Sequence, residues 1–193
     1  MSVEVGQEAP DFTLTSQSGE KVSLSDYRGD KNVVLMFFPF SFTGNCTGEL
    51  CTIRDRYTDF VNDDTVVLSV SCDSHHTLRV FAEQEGLTHP MLSDFWPHGA
   101  VSRAYGAFIE EKGFATRATF IIDKQGVVRW SVINGPGEVR SADDYAQALA
   151  DVAYTVRYVI IPERLRTVHE RFGPQGINGL VRDESGRAIS QAL

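Results

Sequence analysis

The sequence predicts an α/β fold in which helices cover both faces of a central mixed β-sheet. Two observations support this prediction. Residues 32–38 and 65–71 are almost continuously apolar, which is typical of strands that are buried on both faces. A predicted helix follows each of these strands, and a predicted strand hairpin lies on either side of this pattern. With 193 residues, 42% of them hydrophobic, the chain is long enough to bury the core of one domain.

The first half of the chain contains the opening hairpin and two strand–helix units. Polar residues 16–20 form the predicted hairpin turn. Pro39 ends the first long strand, because proline lacks the amide hydrogen that a central strand donates. Apolar residues at helical spacing predict the two helices. In order, the predicted elements cover residues 11–15, 21–24, 32–38, 46–62, 65–71 and 76–84.

The second half of the chain completes the fold with another hairpin and a helix. After an irregular stretch with two prolines, strands are predicted at 118–123 and 127–133. Gly135-Pro136-Gly137 then breaks the chain before a helix that ends at Pro162 at the latest. This order of elements is that of a thioredoxin-like fold with a central mixed sheet flanked by helices.

Charge divides the chain into two expected segments. Residues 154–193 contain six Arg and four acidic residues, a net charge of +2. Residues 1–153 keep 12 basic and 22 acidic residues, a net charge of −10. We therefore expect a thioredoxin-like domain at 1–153 and a C-terminal extension at 154–193 that is helical at first and then loosely ordered.

The overall charge of −8 disfavours nucleic acid and anionic membranes as partners, because a chain of this sign is repelled by both. The longest apolar run, residues 33–40, is too short to cross a bilayer. The N-terminus lacks the basic and apolar regions of an export signal. We therefore expect a cytoplasmic protein.

The three cysteines, Cys46, Cys51 and Cys72, are too few for an extracellular disulfide framework. In a reducing compartment each is either a small buried hydrophobic residue or a thiol used in chemistry. The sequence has no CxxC motif, which argues against a thioredoxin-like disulfide reductase.

No cofactor and no metal is expected. The sequence has no glycine-rich nucleotide-binding loop and no haem-attachment motif. Its histidines lack metal-ligand spacing to the cysteines, and we expect them to face solvent or to lie in loops. The residues concerned are His75, His76, His89 and His98.

Cys46 is the strongest candidate for chemistry, because it lies in the first turn of a helix that follows a buried strand. The helix dipole favours a thiolate there by about 0.3 to 1 kcal/mol. Making a thiolate predominant at neutral pH needs roughly 3 kcal/mol. Arg117, at the start of a later strand, can supply the rest through a charge-assisted hydrogen bond of about 1.5 to 3 kcal/mol.

These residues carry a family resemblance. The spacing Pro39-x-x-x-Thr43-x-x-Cys46, with Glu49 three residues later and Arg117 opening a strand, resembles the active-site signature of the peroxiredoxins. The resemblance covers roughly residues 2–153. Two further stretches are most similar to the alkyl hydroperoxide reductase E (AhpE) branch, and these cover residues 37–44 and 92–101.

The resemblance implies a role for each residue of the signature. Cys46 would be the peroxidatic nucleophile, which attacks the peroxide bond and becomes a sulfenic acid. Thr43 would hydrogen-bond the peroxide, and Arg117 would polarise its oxygens. Pro39 would shield the pocket, and Glu49 would orient the arginine. Each of the four partners also has a structural alternative: strand end for Pro39, helix cap for Thr43, dipole partner for Glu49 and surface ion pair for Arg117.

Cys51 departs from the one-cysteine pattern of AhpE relatives. Its position, five residues after Cys46, resembles that in the peroxiredoxin Q or bacterioferritin comigratory protein group, where a second cysteine resolves the sulfenic acid. An intact helix keeps such residues about 140° and over 7 Å apart, so a disulfide requires local unwinding. The alternative for Cys51 is a buried structural cysteine. Cys72, at the end of the second long strand, is a weaker candidate resolver and a stronger candidate for packing.

The resemblance implies a thiol-dependent peroxidase for hydrogen peroxide, organic hydroperoxides and peroxynitrite, active in antioxidant defence and redox homeostasis. It also implies a homodimer recycled by mycoredoxin with mycothiol or by thioredoxin. Two alternatives use the same fold without catalysis. One is a redox sensor or holdase-like interaction protein, and the other is a binding module with an ordinary thiol at Cys46.

Overall fold

The structure is a computed structural model that describes residues 2–61 and 63–159. The chain divides into two units, Met1–Val152 and Ala153–Leu193, and the central sheet belongs to the first. Most of the expected C-terminal extension, residues 160–193, lies outside the described residues. The expected division of the chain into 1–153 and 154–193 therefore stays a prediction.

The described residues form nine strands and five α-helices. The strands are β1 (Thr13–Ser16), β2 (Lys21–Ser23), β3 (Asn32–Phe37), β4 (Thr65–Ser71), β5 (Met91–Ser93), β6 (Phe108–Ile109), β7 (Phe114–Ala115), β8 (Arg117–Ile122) and β9 (Val128–Asn134). The helices are α1 (Gly44–Asp55), α2 (Tyr57–Phe60), α3 (His75–Glu85), α4 (Ala100–Ala104) and α5 (Ala142–Val159), and a 3-10 turn covers Leu24–Tyr27. No helix of the described part is long and apolar enough to cross a bilayer.

Seven strands form one mixed sheet in the order β2-β1-β5-β4-β3-β8-β9. Strand β4 runs parallel to both β3 and β5, whereas β8 runs antiparallel to β3 and β9. Strands β6 and β7 form a separate small hairpin. The predicted α/β fold with a central mixed sheet is therefore confirmed.

Strand β3 is buried on both faces, as its apolar sequence predicts. Val33, Leu35 and Phe37 belong to the core on one face. Val34 and Met36 point to the other face, because side chains alternate along a strand, and they pack with residues of α1, α2 and α5. The helix that carries Cys46 therefore rests on this second face.

The structure departs from the sequence prediction in two regions. The helix expected over 46–62 is interrupted: α1 ends at Asp55, and the short α2 follows after Arg56, which lies outside helical backbone geometry with ψ 25°. The stretch expected to be irregular contains β5, α4 and the β6–β7 hairpin. These elements have two to five residues, too few to show a periodic pattern in the sequence.

His89 lies in a loop, which is one of the two expected placements, and the structure buries it there. Its side chain is 0% exposed, and Nε2 lies 2.7 Å from the Ser69 hydroxyl. Its Nδ1 has no hydrogen-bond partner within the described residues. Burial lowers the pKa of His89 to about 4, because the charged imidazolium loses its hydration.

This burial predicts an acid-sensitive contribution to stability. The pKa of His89 is near 6.5 in the unfolded chain and about 4 in the folded chain. The free energy of unfolding should therefore decrease by up to about 3 kcal/mol as the pH falls through this window. His89→Gln keeps a polar group beside Ser69 and should flatten the dependence, as measured by urea unfolding between pH 7 and 4.5.

The exposed His76, changed to Gln, is the matched control and should leave the pH dependence of unfolding unaltered. Parallel curves for the wild type and His89→Gln would contradict the prediction.

Candidate active site

Strand register assembles the site at the carboxyl end of β3. Phe37, the last residue of β3, pairs with Ala118, so Arg117 lies beside this strand end. Arg117 in turn pairs with Asn134, the last residue of β9. The segment that follows β9 therefore starts at the same edge of the sheet, next to the helix that begins at Gly44.

Cys46 is the third residue of α1 and is fully buried. It packs in an apolar cluster that includes Phe38, Leu50 and Phe81. The Arg117 guanidinium donates a hydrogen bond from Nη2 to Cys46 Sγ at 3.3 Å. The thiol is therefore removed from water and faces one cation. A thiolate paired with this cation is more stable than an unpaired thiolate would be at the same buried position.

Arg117 is itself held by two contacts besides Cys46 and is only 2% exposed. Its Nη1 donates to Glu49 Oε2 in a short ion pair, and its Nε donates to the Pro136 carbonyl at 2.8 Å. Since the guanidinium is planar, these contacts fix the direction of the nitrogen that reaches Cys46.

Arg140 is the residue of this network that no sequence pattern indicated. Its backbone N and its Nε donate to Glu49 Oε1 at 2.7 and 3.2 Å, and its Nη2 donates to Oε2 at 3.0 Å. Its Nη1 donates to the carbonyls of Phe37 and Ala118 and to the Thr119 hydroxyl. The only signal in the sequence was an arginine shortly after the Gly-Pro-Gly break.

Glu49 remains a carboxylate in this buried setting. Burial alone would raise the pKa of Glu49, but the hydrogen bonds and charge of Arg140, together with the charge of Arg117, lower it below its usual value. Two guanidinium groups and one carboxylate leave one net positive charge, and this charge lies against the Cys46 sulfur. Electrostatics of this kind stabilise a thiolate and a developing oxyanion.

Thr43 is the N-cap residue of α1, but its side chain makes no capping hydrogen bond. Its hydroxyl instead donates to the Phe40 carbonyl at 3.0 Å, at an exposed position. Pro39 is buried, two residues after the end of β3. Between them, Phe42 has a left-handed φ of 61°, a conformation that costs a non-glycine residue about 1 to 3 kcal/mol and is frequent at functional sites.

The other two cysteines lie elsewhere. Cys51 is partly exposed, so the alternative of a buried structural cysteine does not fit it. Cys72 is buried near Ala115, which belongs to the core on the opposite sheet face from Cys46. Burial, with the charge of Asp94, raises the pKa of Cys72 to about 11. The fold thus separates Cys72 from Cys46 by the sheet.

The described residues contain no group of three His, Cys, Asp or Glu side chains that could hold a metal ion. The reactive groups that the chain itself brings to this site are the thiol and its polar partners. A buried thiol, fixed guanidinium donors and a thioredoxin-like fold define the class of thiol-dependent peroxidases.

The chain belongs to the AhpC/TSA family, whose family model matches residues 5–131. It is 50% identical over 148 residues to alkyl hydroperoxide reductase E of Mycobacterium tuberculosis, which covers 77% of this chain and 97% of that relative. The expected membership of the peroxiredoxins, with similarity to the AhpE branch, is confirmed.

Solved structures with the same fold include peroxidoxin BcpB from Mycobacterium tuberculosis, with a TM-score of 0.69 and 28% identity over 77% of this chain and 97% of that chain. AhpC from Enterococcus faecalis has a TM-score of 0.75 and 28% identity over 84% of this chain and 100% of that chain. The thioredoxin-like architecture is thus shared with other peroxiredoxins.

The Glu49 ion pairs predict a large, pH-dependent effect of Glu49→Gln. Removing one partner from a buried ion-pair network leaves uncompensated charge. The free energy of unfolding of the variant should therefore be about 3 kcal/mol lower than that of the wild type at pH 7. Because folding lowers the pKa of Glu49, this difference should be complete above the unfolded value near 4.3 and shrink as the pH falls through the folded value. Urea unfolding at several pH values measures it.

Glu8→Gln is the matched control, because Glu8 forms an exposed ion pair with Arg28. It should change the free energy of unfolding by less than about 1 kcal/mol. Equal effects of the two substitutions would contradict the assignment of the Glu49 pairs as buried and strong.

Proposed function

We propose that this enzyme reduces hydrogen peroxide and organic hydroperoxides, with peroxynitrite as a further substrate, through Cys46. The observation that supports this proposal most is the hydrogen bond of 3.3 Å from Arg117 to the fully buried Cys46 sulfur. A peroxide needs a desolvated thiolate and a fixed donor for its leaving oxygen, and this pair offers both.

In the first step the Cys46 thiolate attacks one peroxide oxygen. The S–O bond forms as the O–O bond breaks, and the leaving alkoxide or hydroxide takes a proton to become an alcohol or water. Peroxynitrous acid instead releases nitrite. Cys46 becomes a sulfenic acid. Arg117 stabilises the charge on the leaving oxygen, and the Thr43 oxygen, whose own hydrogen is directed to Phe40, accepts the peroxide O–H. Pro39 limits the access of water.

Glu49 and Arg140 act on this step through Arg117. Neither touches the sulfur in the contacts described, but both Arg117 and Arg140 donate to Glu49 Oε2, and Arg140 also donates to Oε1. Arg140 in turn is fixed to carbonyls of the two adjacent strands. This chain of contacts gives Arg117 one orientation before peroxide arrives, so that little reorganisation is needed during the reaction.

In the second step we propose that Cys51 resolves the sulfenic acid. The Cys51 thiol displaces the hydroxyl of the Cys46 sulfenic acid, which forms a disulfide and releases water. The first turns of α1 must unwind, because the two residues are five positions apart on one helix. Gly48 lies between them and weakens the helix by about 1 kcal/mol relative to Ala.

A thiol protein then reduces the oxidised enzyme, for which we propose mycoredoxin with mycothiol, or thioredoxin, in a reducing cytoplasm. We also propose a homodimer. Support for an apolar contact surface comes from exposed aromatic rings in the segments that follow β3 and β5, which are 52% exposed for Phe42, 55% for Phe95 and 81% for Trp96.

Peroxide consumption in the presence of a small dithiol tests the nucleophile. Cys46→Ser should lower the rate to that of buffer, because serine cannot form a stable anion at neutral pH. Cys51→Ser is the control and should keep the initial rate of the first step, since Cys51 contacts Glu85 rather than the site. Consumption by Cys46→Ser at the wild-type rate would contradict the proposal.

The same assay separates the enzyme from the alternatives. A redox sensor or holdase would consume about one equivalent of peroxide and then stop, even with reductant present. A plain binding module would react with peroxide no faster than an ordinary free thiol.

A further inference from the structure

The Cys51 thiol is held by a hydrogen bond in the folded enzyme. Its Sγ lies 3.5 Å from Glu85 Oε2 and donates to it. Glu85 is the last residue of α3, and both side chains are only partly exposed. The Arg54 guanidinium, one turn further along α1, also donates to the Glu85 backbone carbonyl. Two hydrogen bonds therefore join the middle of α1 to the end of α3 at the cysteine that is proposed to resolve the sulfenic acid.

The charges around Cys51 oppose its ionisation. Burial raises the pKa of the Cys51 thiol, and Glu85 of α3 raises it further through its hydrogen bond and its charge. Asp55 of α1 acts in the same direction. Arg54 is the opposing cation, but it is also paired with Asp55 at 2.8 Å. While Cys51 rests against Glu85, it is therefore held as a protonated thiol, which is the slow form for attack on sulfur.

We propose that Glu85 is a positioning residue for the resolution step, which holds Cys51 as a thiol against α3 and so delays closure of the Cys46–Cys51 disulfide. This inference rests on the proposed function, because it needs a sulfenic acid at Cys46. When the disulfide closes, the two sulfurs form a bond, and the thiol hydrogen leaves with the sulfenic hydroxyl as water. The delay lengthens the lifetime of the sulfenic acid at Cys46.

Glu85→Gln tests this role, because it keeps an oxygen acceptor for the thiol and removes the charge. Reduced enzyme is mixed with one equivalent of hydrogen peroxide and quenched at intervals. The sulfenic acid and the disulfide are then counted by mass spectrometry of the peptides. Disulfide formation should accelerate about threefold for each unit by which the pKa of Cys51 falls, since the gain in thiolate outweighs its lower nucleophilicity.

The pH profile separates a charge effect from a looser helix contact. In Glu85→Gln the midpoint of the rate of disulfide formation should move to lower pH, while the rate of sulfenic acid formation stays at the wild-type value. Glu83→Gln is the matched control on the same helix, where Glu83 is exposed and pairs with Arg79, and it should behave as wild type. Cys51→Ser gives the zero level for the disulfide.

An unchanged rate of disulfide formation in Glu85→Gln would overturn the role of Glu85, and so would a faster rate with an unmoved pH midpoint. In both cases a normal burst of sulfenic acid at Cys46 would leave the proposed peroxidase activity intact. The absence of any sulfenic acid at Cys46 in the wild type would overturn both proposals.

Discussion

Two guanidinium groups share the buried carboxylate of Glu49, and the geometry of the site depends on this arrangement. Arg140 fixes the carboxylate to the sheet, and Arg117 uses it to direct Nη2 at Cys46. Buried charges are costly unless they are paired. In this network the carboxylate of Glu49 is fully paired, but the two guanidinium groups leave one positive charge in excess. The Cys46 thiol lies next to this excess charge, which stabilises the anion that the thiol becomes in the reaction.

The fold makes this network available through strand register. The pairing of Phe37 with Ala118 sets Arg117 beside the end of β3, and the carbonyls of those same two residues accept hydrogen bonds from Arg140. One strand pair thus positions both arginines. The same sheet separates the cysteines by function, since Cys46 lies on the face covered by α1 and Cys72 lies near the core of the other face.

Sequence patterns could predict the parts of this fold and site that depend on local properties. Strands β3 and β4 are recognisable because burial on both faces demands a continuous apolar run. Cys46, Glu49 and Arg117 were candidates from spacing and resemblance, and they lie in contact in the folded chain, while their roles remain proposals. The contact of Arg140 with Glu49 spans 91 positions of the sequence and leaves no local pattern. The burial of His89 likewise depends on tertiary packing, because its own loop is too short and irregular to show a periodic pattern.

The oxidation state of the three cysteines after one equivalent of hydrogen peroxide tests the central claim most directly, because it compares three thiols of one chain in one reaction. We expect Cys46 to be oxidised first, as a sulfenic acid, and Cys72 to stay reduced. Cys51 should appear only later, in a disulfide with Cys46. Oxidation of Cys51 or Cys72 before Cys46 would contradict the claim that the Glu49–Arg117 network selects the reactive thiol.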